Sequence, residues 1–259
     1  MSRTPRAVTL MAPSFKSTES CKVAHVRKKW LLLLPWLLLG CESVPDVIAK
    51  HRSGVERNFA RIQALQPRLV AVEPRTAPKM KSAPLVLEQS GKAESNAMFI
   101  YAEDVPKPGD GKAVHLRTLD SAPLLQCGSL LGKQSYFGDA FTRPVPSVVE
   151  SYLSACERLK YVLVIRLIEF TPPELSLESK KFVSGRYQAE VLAFDLSDGA
   201  LLGGFLVNAK NEDSVMLLDG DADHTKRLIS NLESTVFSAI REGARAALPG
   251  ALPPPVTAR

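Results

Sequence analysis

Apolar positions along the chain follow helical spacing near both ends and strand-like patterns between them. From Val44 to Leu65, apolar residues recur at intervals of three, four and seven, which predicts one apolar stripe on a helix. From about Asp223 to Leu248 they recur at every fourth position, which predicts a second amphipathic helix. The repeating residues of this second stripe are Leu228, Leu232, Val236, Ile240 and Ala244.

The segments between these helices have the patterns of β-strands. Tyr161–Phe170 is an almost continuous apolar run of strand length, which predicts a central strand. Two β-rich runs flank Ser197–Ala200, and the Asp-Gly pair between them favours a tight hairpin turn. Weaker patterns predict three further strands, at Leu85–Glu88, Ala97–Ala102 and Val114–Thr118.

A third helix is predicted to begin near Ser147. Ser147 and Glu150 have the S-x-x-E spacing of a capping box, in which a hydroxyl and a carboxylate satisfy free backbone amides. The helix leads directly into the predicted central strand. Strands with antiparallel connections and helices at either end indicate an α+β fold, with a mostly antiparallel sheet and helices packed on one face.

Proline and small residues at 74–84 predict an extended linker. We therefore expect a tether helix and linker at 41–84, an α+β domain at 85–248 and a flexible tail at 249–259. The first helix could lie on a membrane, extend as a stalk or dock on the domain. Docking is favoured because its apolar stripe is narrow and interrupted by polar residues.

An apolar run at Trp30–Gly40 follows the basic pair Lys28 and Lys29. The run is far shorter than the roughly 20 apolar residues that span a bilayer, and it suits the hydrophobic region of a secretory signal. A short core helix is the alternative, but Pro35 in the middle of the run argues against it. The sequence therefore predicts an export signal over residues 1–40.

The tetrad Leu38-Leu39-Gly40-Cys41 stands where an ordinary signal has its small-residue cleavage site. It resembles the lipobox of bacterial lipoproteins. The resemblance implies diacylglyceryl transfer to the Cys41 thiol, cleavage after Gly40 and acylation of the new amino terminus, with palmitate among the attached chains. A thioether-linked lipid requires a nucleophilic sulfur, and several acyl chains hold a protein stably on a bilayer. The lipid on Cys41 would thus anchor the protein to a membrane.

Two further expectations follow from this signal. Glu42 follows the cysteine, whereas aspartate at that place retains lipoproteins in the inner membrane of some bacteria. By analogy we expect the outer membrane, with the domain facing the periplasm. The polar residues 1–25 are unlike a bacterial signal, so translation could instead start at Val26.

Removing the signal changes the charge of the chain. Residues 1–40 hold seven of the 33 Lys and Arg residues and one of the 27 Asp and Glu residues, so the mature chain has 26 of each. Its formal net charge is zero. Binding to nucleic acid requires clustered basic residues, and none is visible. We therefore expect no nucleic-acid partner.

Cysteine usage fits an exported protein. With Cys41 committed to lipid, Cys127 and Cys156 remain as an even pair in an oxidising compartment. A disulfide between them is favoured, and two separate buried thiols are the alternative.

No catalytic motif is present, and the mature histidines, His51, His115 and His224, lie far apart in the sequence. The acidic run 219–224 fails as a calcium loop because it lacks the glycine and the glutamate that an EF-hand requires. A charged pocket could form from Glu190, Asp195 and Asp198 with Arg166 and Arg186, but solvent-facing residues of a half-exposed sheet would look the same. We predict no catalytic residue, metal or cofactor.

The body, over about residues 97–248, is similar in its order of elements to the small α/β domains of envelope-assembly lipoproteins, including the curli-secretion and penicillin-binding-protein-activator groups. No residue motif carries this likeness. It implies a non-catalytic interaction domain with an envelope protein partner. The alternatives are a lipidated periplasmic hydrolase and an auxiliary subunit of an export or transport machine.

Overall fold

A computed structural model describes residues 42–87, 95–108, 122–132, 145–176, 181–215 and 224–249. These residues form helices α1 (Val44–Gln63), α2 (Gln66–Ala71), α3 (Ala122–Leu130), α4 (Pro146–Glu157) and α5 (His224–Ala247). The strands are β1 (Ala97–Tyr101), β2 (Tyr161–Thr171), β3 (Glu174–Ser176), β4 (Lys181–Val183), β5 (Arg186–Asp195) and β6 (Leu201–Lys210). A short 3₁₀ turn, Ala102–Asp104, follows β1.

Four strands form the main sheet in the order β1-β2-β5-β6. Strand β1 is parallel to β2, and the β2–β5 and β5–β6 pairs are antiparallel. The short strands β3 and β4 form a separate antiparallel pair. The predicted α+β class and the mostly antiparallel sheet are confirmed.

Helices cover both faces of this sheet, whereas the sequence analysis expected them on one face. Val162 and Val164 of β2 pack in a core with residues of α1, α3 and α4. The alternate residues Leu163 and Ile165 pack in a second core with α5. The expectation was wrong because β2 is apolar at every position from Tyr161 to Ile165, so both of its faces must be removed from water.

The C-terminal helix forms as its spacing predicts. All five residues of the predicted stripe on α5 are fully buried. Each large apolar side chain removed from water in this way stabilises the fold by about 1.5–3 kcal/mol. The tail predicted at 249–259 lies outside the described residues, apart from Pro249.

The hairpin also forms where it was predicted, but its loop is longer than a two-residue turn. The backbone N–H of Asp195 donates to the carbonyl of Ala200, which closes a loop of four residues. Gly199 adopts a φ of 69°, a conformation that glycine takes without a steric penalty. The Asp195 carboxylate accepts the N–H of Ser197, and that of Asp198 accepts the N–H of Ala200.

Helix α1 docks on α4, which was the favoured alternative. The carboxylate of Asp46 accepts hydrogen bonds from the backbone N–H and the hydroxyl of Ser43, and these bonds fix the start of α1. In the part of the chain that the structure describes, no helix is both long enough and apolar enough to cross a membrane.

The proline-rich segment after α2 lies against the sheet. Gly204 of β6 donates its N–H to the carbonyl of Pro78, and Lys81 donates to the carbonyl of Leu202. Leu85 and Leu87 are buried in the same core as α5. Pro74 and Arg75 form a turn, and residues 76–84 have no regular secondary structure. The segment covers the β6 edge and is part of the folded body, whereas the sequence predicted a linker.

Local predictions fail at two places. The Ser147 capping box is absent because Pro146 occupies the first turn of α4, and the Glu150 carboxylate binds Lys50 at 2.7 Å. Residues 85–87 are not a strand. Helix α3 was not anticipated, and the predicted strand Val114–Thr118 lies outside the described residues.

The disulfide predicted between Cys127 and Cys156 is present in the structure. It joins α3 to α4, with 6.7 Å between the Cα atoms, and both residues are buried in the core beneath α1. The bridge therefore ties the short helix α3 to the main body.

Replacing both cysteines, in the variant Cys127→Ala/Cys156→Ala, is expected to lower the free energy of unfolding by about 3–4 kcal/mol. The bridge closes a loop with a sequence separation of 29. Cross-linking a loop of that length lowers the conformational entropy of the unfolded chain, and this loss accounts for the expected change in the free energy of unfolding. Urea unfolding measures the effect, and reduction of the wild type should reproduce it. An unchanged midpoint in both experiments would contradict a stabilising role.

Stability should also fall at alkaline pH because of Tyr187. Burial, together with the nearby negative charge of Glu103, raises the pKa of Tyr187 to about 12. Tyrosine in the unfolded chain loses its proton near pH 10, so between these values the unfolded state is favoured by about 1.4 kcal/mol per pH unit. The contribution of neutral Tyr187 is complete below pH 10 and is lost as pH rises to 12. Unfolding of Tyr187→Phe at several pH values should show a smaller alkaline loss, and equal slopes would contradict this account.

Candidate functional site

Asn211 is fully buried, and its side-chain amide donates to the carbonyl of Leu228 in α5. Two further groups of charged and polar side chains lie around the buried residues His51, Asn58 and Glu190, on the sheet face that α1 covers. The first is the seam between α1 and α4, which consists of Lys50, His51 and Asn58 with Glu150 and Glu157. The second is the ion pair between Arg166 and Glu190 beneath α2. Because charged groups are costly to bury, each group requires an explanation.

Asn58 closes the C-terminal end of α4. Its side-chain amide donates to the carbonyl oxygens of Cys156 at 2.9 Å and Glu157 at 2.8 Å. The last carbonyls of a helix have no partner within the helix, so a buried helix end needs such a donor. Asn58 itself is only 4% exposed.

His51 lies one turn of α1 before Val55 and pairs with the last residue of α4. Its Nδ1 atom is 2.6 Å from Oε2 of Glu157. Gly54 allows this close approach, because a Cβ built at that position would lie 2.4 Å from the Glu157 carboxylate. The imidazole is thus held in one orientation at the helix contact.

Lys50 connects the starts of the two helices. Its ammonium group is 2.7 Å from Oε1 of Glu150 and 3.9 Å from Oε1 of Glu42. The hydrogen bond to Glu150 raises the pKa of Lys50, and the same bond lowers the pKa of Glu150. Both side chains are about half exposed, so this pair adds little to stability but fixes where the helices meet.

A histidine beside a carboxylate is also part of many catalytic triads, in which the second ring nitrogen activates a nucleophile. Within the described residues, Nε2 of His51 has no hydrogen-bond partner. Oε1 of Glu150 lies 3.9 Å from Nε2, which is within the range of an ion pair but too long for a hydrogen bond. The geometry therefore orients an imidazole but, in the described part of the chain, presents it to no hydroxyl or thiol.

Arg166 and Glu190 face each other across β2 and β5. The Nε and Nη2 atoms of Arg166 donate to Oε1 of Glu190, the former at 2.6 Å. Its Nη1 atom donates to the carbonyls of Leu69 at 2.9 Å and Val72 at 2.7 Å, at the end of α2. Glu190 is fully buried, and Arg166 gives donors both to its Oε1 atom and to the end of α2. Oε2 of Glu190 has no hydrogen-bond partner among the described residues.

The structure assembles only part of the charged pocket that the sequence suggested. Arg166 and Glu190 meet, whereas Asp195 and Asp198 hold the hairpin loop, and Arg186 is exposed at the start of β5. The alternative interpretation was that these charged residues face solvent on a half-exposed sheet. It is wrong for Arg166 and Glu190, because α2 covers them.

The other residues singled out from the sequence do not form a site in the described structure. Gly40, Cys41, His115 and the acidic run 219–223 lie outside the described residues, and His224 is the first residue of α5. Among the residues that are described, no three His, Cys, Asp or Glu side chains are grouped as metal ligands.

The described surface includes two open depressions that do not contain the buried charges. One, of about 450 Å³, is lined by Glu212, Val215, Arg227, Ser230, Asn231 and Ser234. The other, of about 460 Å³, is lined by Glu56, Phe59, Ala60, Gln63, Pro106, Lys107 and Pro108. The charged clusters therefore serve packing in these regions and do not line either depression.

Sequence reasoning missed His51 and Asn58 as contact residues, although a signal existed. Both interrupt the stripe of α1 at positions where apolar residues would be expected, seven residues apart with Gly54 between them. Polar residues on a buried helix face indicate that a partner is supplied by another element.

Comparisons with known proteins identify neither a family nor a function for this chain. No protein-family model matches the chain, and no curated protein matches it. A solved structure of a hypothetical protein from Chlamydia trachomatis aligns at 15% identity over 58% of this chain and 92% of that chain, with a TM-score of 0.26. This likeness is too weak to support a shared fold or function.

The substitution Arg166→Met is expected to lower the free energy of unfolding by about 3–5 kcal/mol, because it leaves the buried Glu190 carboxylate without a counter-charge. The double variant Arg166→Met/Glu190→Leu removes both charges and should recover most of that loss. Urea unfolding measures both, and Arg186→Met at an exposed position is the matched control. Equal stability of Arg166→Met and Arg186→Met would show that the pair does not stabilise the fold.

Proposed function

We propose that this chain is a membrane-anchored lipoprotein whose α+β domain binds a protein partner in the periplasm without catalysing a reaction. The observation that carries the proposal is the tetrad Leu38–Cys41 after a short apolar run, placed directly before the folded body. Only Glu42 separates Cys41 from Ser43, which fixes the start of α1. A lipid on Cys41 would therefore attach the domain itself to the membrane.

The disulfide supports export from the cytosol. Bridges such as Cys127–Cys156 form and persist in oxidising compartments, and the periplasm is one of them. The bridge joins two helices in the core beneath α1, so it belongs to the mature domain.

The buried polar groups support binding rather than catalysis. Asn58 and Arg166 both donate to carbonyls at helix ends, and His51 is held by Glu157. These residues are engaged in the packing of α1, α2 and α4. A domain built in this way offers its outer surfaces to a partner.

The variant Cys41→Ala is expected to accumulate as an unlipidated precursor, because no other residue can carry a thioether-linked lipid at the cleavage site. Metabolic labelling of cells with a radioactive fatty acid measures this, and Cys21→Ala is the matched control that should still be labelled. Density-gradient fractions of the wild type should hold the label in the outer membrane. Continued labelling of Cys41→Ala would contradict the lipobox.

Crosslinking in intact cells tests the binding role. The lipidated wild type should yield a discrete crosslinked protein partner, and an exported Cys41→Ala domain with a conventional cleavable signal is the control for anchoring. A turnover of periplasmic esters or peptides by the purified domain, abolished by His51→Ala, would instead favour a hydrolase.

A further inference from the structure

We infer that the end of the domain at which α1 and α4 begin lies on the bilayer, and that Val145 and Val148 contact its lipid. The inference rests on the proposed lipidation of Cys41. It adds an orientation and a contact surface that the lipid signal alone does not give. The lipid bilayer is the occupant because the anchor point lies at the same end of the molecule.

The two helices start at the same end because they run in parallel. Lys50, early in α1, contacts Glu150 in the first turn of α4, at 2.7 Å. Asn58, eight residues further along α1, contacts Cys156 and Glu157 at the last turn of α4. Contacts that advance in the same direction along both helices place their first residues side by side.

The level of each residue follows from the rise of an α-helix, about 1.5 Å per residue. Ser43 lies about 10 Å beyond Lys50 along α1, and Val145 lies about 7.5 Å beyond Glu150 along α4. Cys41 is two residues from Ser43, a span of at most about 7 Å. The first residues of α1 and α4 are thus at similar levels, and Cys41 is joined to α1 through Glu42 and Ser43.

Two apolar side chains are exposed at this end of α4. Val145 is 57% exposed and Val148 is 39% exposed, whereas their neighbour Val149 is buried in the core. Val145 is the residue directly before α4 and Val148 lies in its first turn, so both are at the start of the helix. Single exposed valines are ordinary on protein surfaces, but a pair beside a lipid anchor is in reach of the hydrocarbon boundary.

The described charges at this end are mostly negative. Lys50 lies between the carboxylates of Glu150 and Glu42, and Asp46 adds a third carboxylate in the first turn of α1. This charge favours contact with a zwitterionic phospholipid over an anionic one.

The composition of the mature chain allows a direct test. Both tryptophans of the sequence, Trp30 and Trp36, precede Cys41, so the mature chain has none. With Cys127 and Cys156 bridged, Cys41 is the single free thiol of residues 41–259. Residues 42–259 form a compact unit of their own. A maleimide phospholipid can therefore be coupled to Cys41 in single-tryptophan variants.

The experiment compares Val145→Trp and Val148→Trp with the control Ser197→Trp. Ser197 is in the exposed hairpin loop beside Gly199, where a built Cβ would lie 3.2 Å from Leu65 and so at the opposite end of α1. The coupled proteins are bound to phosphatidylcholine vesicles with brominated acyl chains. We expect strong quenching and a blue-shifted emission at 145 and 148, and neither at 197.

Absence of quenching at both valine positions, or equal quenching at Ser197→Trp, would overturn the inference. If either valine variant fails to fold, hydrogen exchange of the lipid-coupled wild type replaces it. Slower exchange over residues 145–150 on vesicles would support the contact, and unchanged exchange there would refute it. Because coupling is chemical, these outcomes are independent of whether cells lipidate Cys41, which fatty-acid labelling decides separately.

Discussion

The constraint on which the rest of the structure depends is the two-sided apolar character of β2 and its neighbour β5. Both faces of these central strands must leave water, so the chain has to supply a helical layer to each. Helix α5 is the helix that covers one face, because its stripe extends along the whole helix, and Leu85 and Leu87 pack in the same core. The other face is covered by shorter helices from three separate parts of the chain.

Covering that second face with short helices creates a problem that one long helix avoids. Helices α2 and α4 end inside the fold, and their last carbonyls lose water without gaining a partner in the helix. Asn58 meets this need for α4, and Arg166 meets it for α2. The buried polar groups are therefore a consequence of the architecture, and the buried Glu190 balances the charge of the arginine that the second helix end requires.

This distinction also explains what the sequence could and could not predict. The stripe of α5, the strand Tyr161–Phe170 and the hairpin were predictable because each follows from spacing or turn chemistry within one segment. The second helical layer, the partner of Glu150 and the role of Asn58 depend on residues about 100 positions apart. Periodicity within a segment carries no information on such pairs. The one-face arrangement was expected because antiparallel sheets often have a solvated face, although the unbroken apolar run in β2 already argued against it.

The short connection between Cys41 and α1 couples the anchor to the fold. A long flexible tether would let a lipidated domain turn freely, and its surface chemistry would then say little about its orientation. Here only Glu42 stands between Cys41 and Ser43, the residue that caps α1. Helix α1 is held against α4 by Lys50 and Asn58, and the disulfide joins α4 to α3. In the lipidated form that we propose, the lipid would therefore be attached close to helices that are fixed to one another.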